Sequence, residues 1–136
     1  MHRIVLDTNV LVSALLNPHG APAEIFEGLL EGRWTLLASP DILSEYEGVL
    51  SRAKFGLPTG VVEETFRRLR QAAILIRPWE SIQACVDPAD DKFLACALCG
   101  KAKHLVTGNI RHFPKGSFMG IRILAPADFL RGYFYS

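Results

Sequence analysis

The chain has 136 residues, 49% of them hydrophobic and 21% charged, with a formal net charge of +1. Such a composition excludes a disordered chain and suits a single domain over residues 1–136 with one core; it also excludes bulk basicity as a route to nucleic acid, so any basic patch must be local. No apolar run reaches a membrane span of roughly 18 residues, the opening MHRIVLDTNV is too short and polar for a signal peptide, and a cytosolic, cytoplasmic protein with no membrane partner is expected.

In chain order, the β-branched run HRIVLD predicts a first strand over about residues 3 to 6, ending at Asp7. TNVLVSALL follows as a helix, with Asp7, Thr8 or Asn9 available as its cap, and Asn17-Pro18-His19-Gly20 breaks it. APAEIFEGLLEG carries Ile25, Phe26, Leu29 and Leu30 at helical spacing, and WTLLAS is the second strand. SPDILSEYEGVLSRAKF predicts a helix capped by Ser39 with Pro40 at its first position; Ile42, Leu43, Tyr46, Val49 and Leu50 share a face. GLPTG is a turn, VVEETFRRLRQAA a helix and AILIRP the third strand. WESIQACVDPA reads as a loop, DDKFLACALCG as a helix, HLVTG as the fourth strand, NIRHFPKGSFMG as a loop, IRILA as the fifth strand and PADFLRGYF as a last helix. Alternating strands and helices imply right-handed βαβ units and a parallel sheet covered on both faces. Cys96 and Cys99 form C-x-x-C inside an apolar helical pattern, and with no second pair nearby they read as reduced core cysteines.

The stretch VDPADDKFLA sets three carboxylates, Asp87, Asp90 and Asp91, within five positions of a buried segment. Adjacent acids about 5 Å apart repel by roughly 3 kcal/mol at an effective dielectric of about 20. In a parallel sheet, ligands bind beyond the carboxyl ends of the strands. Asp7 stands at that end of the first strand, and Thr107, Gly108 and Asn109 at that end of the fourth. The helix starting near Asp90 and Asp91 directly precedes the fourth strand, so its N-terminus is expected on the opposite edge unless the loop carries it back. Sequence order alone does not bring Asp91 beside Asp7. On a wheel centred on Tyr46, Glu45 and Glu47 flank the apolar face equally. Structural roles compete at each position: Asp7 as a helix cap, Asp87, Asp90 and Asp91 as partners of a helix dipole, Glu45 as a solvated residue.

IVLDTNVLVSALL, SPDILSEYEGVL, DPADDKFLACAL and HLVTGNIRHF together resemble the four motifs of the PIN domain family, and within it the toxins of toxin–antitoxin pairs similar to VapC. The resemblance spans nearly the whole chain. It implies a three-layer α/β/α sandwich around a central parallel sheet of four to five strands, with the acids gathered together. It implies that Asp7, Glu45 and Asp91 hold a metal, with Asp90 as a helper. Many members carry Asp after Thr-Gly, where this chain has Asn109; a neutral carboxamide lowers the expected affinity for a second cation. Carboxylates without His or Cys ligands select hard cations, Mg²⁺ or Mn²⁺, and such sites hydrolyse phosphodiesters. The expected catalytic set is therefore Asp7, Glu45, Asp91 and Asn109. Thr8, Asn9, Asp90 and Thr107 are expected to orient ligands or substrate, and Arg111, His112 and Lys115 to meet RNA phosphates. The resemblance implies a metal-dependent endoribonuclease, with a small antitoxin protein and a second copy of the chain as partners. A catalytically weak scaffold binding RNA or protein is the alternative that Asn109 permits. Arg67, Arg68 and Arg70 read as a solvated or partner-facing helix side, His2, His19 and His104 carry no evident role, and the aromatic Tyr133, Phe134 and Tyr135 are expected at a homodimer contact.

Overall fold

Ile4, Val5 and Leu6 are buried without alternation, which a strand shows only when both of its faces are covered. They form β1 (Arg3–Leu6), the start of an α/β fold in a computed structural model that describes residues 2–134, with side chains to residue 132. There follow α1 (Thr8–Leu16), α2 (Ala21–Leu30), β2 (Thr35–Ala38), α3 (Pro40–Leu50), α4 (Thr59–Ala72), β3 (Ile74–Leu75), α5 (Asp91–Cys99), β4 (His104–Val106), β5 (Ser117–Phe118), β6 (Ile121–Leu124) and α6 (Pro126–Phe134). The sheet runs β3-β2-β1-β4-β6-β5. Every pairing is parallel except β5 with β6. Helices flank this sheet; α5 lies across β1, β2 and β4, while α1 packs against α2 and α3, and α2 against α6.

The strand order turns at β1. One neighbour, β2, leads outward to β3; the other, β4, leads outward to β6. Such a switch opens a crevice at the carboxyl ends of the two central strands, and Asp7 and Thr107 are the residues that follow β1 and β4.

Three elements differ from the sequence reading. The third helix ends at Leu50 rather than running to Phe55: Arg52 N–H turns back to Val49 O, Arg52 itself is extended, and Ala53–Phe55 form a separate 3₁₀ turn closed by Gly56 in the left-handed region. The third strand keeps only Ile74–Leu75. Within the predicted loop 109–120 lies β5, joined to β6 by Met119 and Gly120, both with positive φ, as a two-residue hairpin turn requires. Gly28 sits mid-helix because a Cβ there would stand 2.1 Å from the Trp34 ring. That ring donates from Nε1 to Ile25 O and meets Phe129 edge-on at 5.2 Å, which ties α2, β2 and α6 together. No helix among the described residues is long and apolar enough to cross a membrane. Tyr133, Phe134 and Tyr135, expected at a dimer contact, lie outside the residues whose side chains are described.

Candidate active site

Asp7 ends β1 in extended conformation just before α1, the position of a cap, yet its carboxylate makes no capping hydrogen bond to the helix. It is turned to β4 instead. Thr107 donates its hydroxyl to Asp7 Oδ2 at 2.8 Å, and Asn9 Nδ2 donates to the same oxygen at 3.3 Å. Asn9 Oδ1 accepts from Gly108 N–H at 3.0 Å, and Thr107 Oγ1 accepts from Asn109 N–H at 2.9 Å. The loop after β4 is thereby laced to the end of β1. Burial raises the Asp7 pKa; the Thr107 hydroxyl and the Thr8 backbone N–H oppose this, and the charge of Glu45 adds to it.

Glu45 is placed by its neighbour. Tyr46 is fully buried and donates its phenol to Leu6 O at 2.6 Å, which joins α3 to the residue before Asp7. Burial, then the nearby Cys96, Asp7 and Glu45, hold the phenol pKa well above its usual value, so it remains a donor. With Tyr46 inward, Glu45 faces the crevice half-buried and Glu47 is exposed, which settles the choice left open by the helical wheel. Glu45 Oε2 accepts from the Thr8 hydroxyl, and Oε1 pairs with Lys92 Nζ at 2.6 Å.

The start of α5 lies at this same edge, contrary to the expectation from strand order. A helix feeding a parallel strand must end at that strand's amino edge, so its beginning lies at the carboxyl edge. The two adjacent aspartates then part. Asp91 turns back to the preceding loop, where Oδ1 accepts from Ala84 N–H at 3.0 Å and Cys85 N–H at 2.8 Å. Burial alone would raise its pKa, but these donors outweigh it and leave the value lowered. Asp91 Oδ1 is thus taken up by the loop backbone, and no hydrogen bond among the described residues joins Asp91 to Asp7 or Glu45. Asp90 takes the inward position. Its pKa is pushed up to about 6 by burial, then by the negative charges of Asp7 and Asp87, with Glu45 contributing and His112 opposing. Asp87, in turn, caps the 3₁₀ turn Pro88–Asp90 by accepting from Ala89 N–H at 2.9 Å.

Opposite stands the 3₁₀ turn Ile110–His112. His112 O accepts from Val86 N–H at 3.1 Å, and His112 Nδ1 lies 3.8 Å from Asp90 Oδ2. Asn109, Arg111 and Lys115 are exposed on this rim. The Asn109 carboxamide makes no hydrogen bond among the described residues, and its part in the lattice is the backbone N–H on Thr107. Beside the acids, a surface depression is lined by Asp41, Ser44, Glu45, Pro88, Ala89 and Lys92. Among the described residues, no group of three or more His, Cys, Asp or Glu side chains is placed to hold a metal ion.

A model of the PIN domain matches residues 3–111. The chain belongs to the PIN domain family. This PIN domain is 31% identical over 110 residues to the uncharacterized protein MJ1680 of Methanocaldococcus jannaschii, a match covering 79% of the chain and 70% of that protein. In fold it is similar to one chain of the crystal structure of VapBC2 from Rickettsia felis bound to a DNA fragment from their promoter. There the TM-score is 0.55 with 19% identity, covering 90% of this chain and 96% of the other.

Sequence reasoning passed over Lys92 and ranked Asp90 below Asp91. The helical phase carries the missing signal for the acid. Asp90 lies three, four and seven residues before Phe93, Leu94 and Ala97, all at 0% exposure, whereas the corresponding row from Asp91 ends at the half-buried Leu98.

Proposed function

We propose that this PIN domain is an endoribonuclease that hydrolyses RNA phosphodiester bonds with Mg²⁺ or Mn²⁺, and that it acts in the cytoplasm as the toxin of a toxin–antitoxin pair. The observation that supports the reading is that buried Asp7, half-buried Glu45 and Asp90 lie close enough at the switch between β1 and β4 for the charges of Asp7 and Glu45 to act on Asp90. Burial, and after it the negative charges of Asp7 and Asp87 with a contribution from Glu45, raise Asp90 to about 6. An all-oxygen, anionic donor set suits a hard divalent cation. The Lys92 ammonium against Glu45 already answers part of that negative charge. Asp7, Glu45 and Asp90 would hold the cation. When bound, it activates water for attack and offsets charge developing on the phosphate.

The rest of the work falls to the chain's own groups. Thr107 and Asn9 hold the Asp7 carboxylate in one orientation, and Thr8 does the same for Glu45. Asn109 offers a neutral carboxamide that orients water or a second cation without adding charge. Arg111, His112 and Lys115 on the rim receive the backbone phosphates of the substrate. The likeness to a chain of a two-component complex bound to promoter DNA supports a small antitoxin as partner; a homodimer is the proposed assembly.

The test is cleavage of unstructured RNA with Mn²⁺, with chelator, and by Asp7→Asn. Cleavage that needs the metal and is lost in Asp7→Asn is expected. RNA binding without cleavage by the unmodified protein would instead establish the scaffold reading.

A further inference from the structure

At the amino edge of the sheet, opposite the acids, lies a cleft lined, among the described residues, by His2, Arg3, Lys101, Lys103 and His104. No acid lines it. Among the described residues, no carboxylate pairs with Arg3, Lys101 or Lys103. Arg3 is anchored from below, donating to Gly100 O at 2.9 Å. Lys103 O accepts the backbone N–H of Arg122 at 2.8 Å, which brings a further exposed cation to this edge. The local field is strong enough to register on buried His104, whose pKa falls to about 4 through burial first and then through Arg122, His2 and Lys103. In a protein of net charge +1, Arg3, Lys101 and Lys103 gathered on one cleft make a local positive field that attracts anions.

The backbone agrees. Ala102 N–H returns to Ala97 O at 2.8 Å, closing α5 with a turn whose left-handed residue is Lys101, at φ 60°. Glycine or asparagine is the usual occupant of that position. The chain places a lysine there at a conformational cost, and its ammonium lines the cleft.

We propose that this cleft holds the phosphodiester backbone of single-stranded RNA, several nucleotides away from the bond that the acids cut. The choice of RNA rests on the ribonuclease reading above; the anion site itself does not. The two ends of β4 connect the regions. From His104 to Thr107 is about 10 Å at ~3.3 Å per residue. The β5–β6 margin carries cations from one end to the other: Lys115 precedes β5 near the carboxyl side, and Arg122 pairs with Ser117 and His104 near the amino side. The neighbouring depression past His104 contains Arg122, Asp128 and Arg131, where Asp128 is paired with Arg131 at 3.2 Å.

The test uses the whole chain in an Asp7→Asn background, with fluorescence anisotropy of labelled, unstructured RNA read without cleavage. Oligonucleotides of about 4 and about 12 nucleotides bracket one binding site. Lys101→Gln with Lys103→Gln is expected to weaken the longer RNA about tenfold, lower its log K against log salt slope by about 1.4, and leave the shorter one unchanged. Lys101→Gly with Lys103→Gln is expected to weaken the longer RNA equally while raising thermal stability, a pairing that a structural role for Lys101 does not produce. Unchanged affinity and slope for the longer RNA, or equal loss for both lengths, would overturn the proposal. So would a wild-type cleft that takes an acidic peptide and no RNA. If the unmodified protein fails to cleave yet shows the length-dependent, charge-dependent binding, the ribonuclease reading falls and this site stands.

Discussion

Two neighbouring aspartates are expected to respond to the same substitution with opposite signs. In metal-free protein, Asp90 is held up to about 6, against an ordinary 3.8, by burial and by Asp7 and Asp87. A carboxyl raised in the folded state contributes its full stability below its unfolded value and loses it as pH climbs through the folded one. Ionised Asp90 is therefore a burden above about pH 6. The difference corresponds to about 3 kcal/mol at full weight. The side chain is 18% exposed, so about 2 kcal/mol is expected after solvent screening. Asp90→Asn in chelator at about pH 7.5 should thus be stabilised by about 2 kcal/mol; with about 0.3 kcal/mol/K of unfolding entropy, that raises Tm by about 7 °C. The gain should shrink as pH falls from about 6 and vanish near 4. Asp91→Asn should do the reverse and lower Tm, because the lost charge weakens the hydrogen bonds from Ala84 and Cys85, by about 1 kcal/mol. Thermal melts of both variants across this pH range decide the matter. A Tm shift of the same sign in both, or a loss in Asp90→Asn, would refute the division of labour between them.

Tyr46→Phe removes the phenol that Leu6 O accepts and should cost about 1 to 3 kcal/mol in urea melts, with Mn²⁺ affinity falling alongside because Asp7 and Glu45 lose their tie. His104, lowered to about 4 by burial and nearby cations, leaves the folded state binding fewer protons than the unfolded one between about pH 4 and 6.5. Stability should therefore fall as pH drops through this window, by about 2 kcal/mol at pH 5, and His104→Gln should flatten that part of the profile. Asn109→Asp is expected to tighten Mn²⁺ about tenfold in calorimetry by adding an anionic ligand; unchanged binding would place Asn109 outside the metal's reach. Light scattering at micromolar concentration should give a dimer, and a monomer would remove the proposed assembly.

The sheet was legible because its central strands are apolar on both faces: IVL and HLV announce themselves, and the helices between them carry clear caps at Ser39-Pro40. The hairpin of β5 and β6 was not, because its turn uses Met119 in a left-handed conformation where Asn or Asp gives the familiar signal. Asp7 and Thr107 could be placed by the rule that ligands gather at strand ends. The path of α5 was misjudged by overlooking that a crossover helix runs antiparallel to its strands. Asp90 and Asp91 could not be told apart by composition. Their helical phase separates them, and a pair of backbone donors at Ala84 and Cys85, contributed by the loop before α5, holds Asp91 in its place. The Lys92 pairing with Glu45 depends likewise on how two helices meet, which periodicity along either one leaves unstated.

The bond between Thr107 and Asp7 joins residues 100 apart in sequence. During synthesis the first acid leaves the ribosome long before the strand that orients it. At about 5 to 20 residues per second the interval is roughly 5 to 20 seconds. Throughout it, β1 lacks its inner neighbour and Asp7 has neither the Thr107 hydroxyl nor the enclosure that perturbs it. A nascent chain of this protein therefore carries Asp7 and Glu45 before the strand that orients Asp7 has emerged. The hydrogen bond that orients the Asp7 carboxylate forms only when the last third of the chain has been made, late enough that the protein is nearly free.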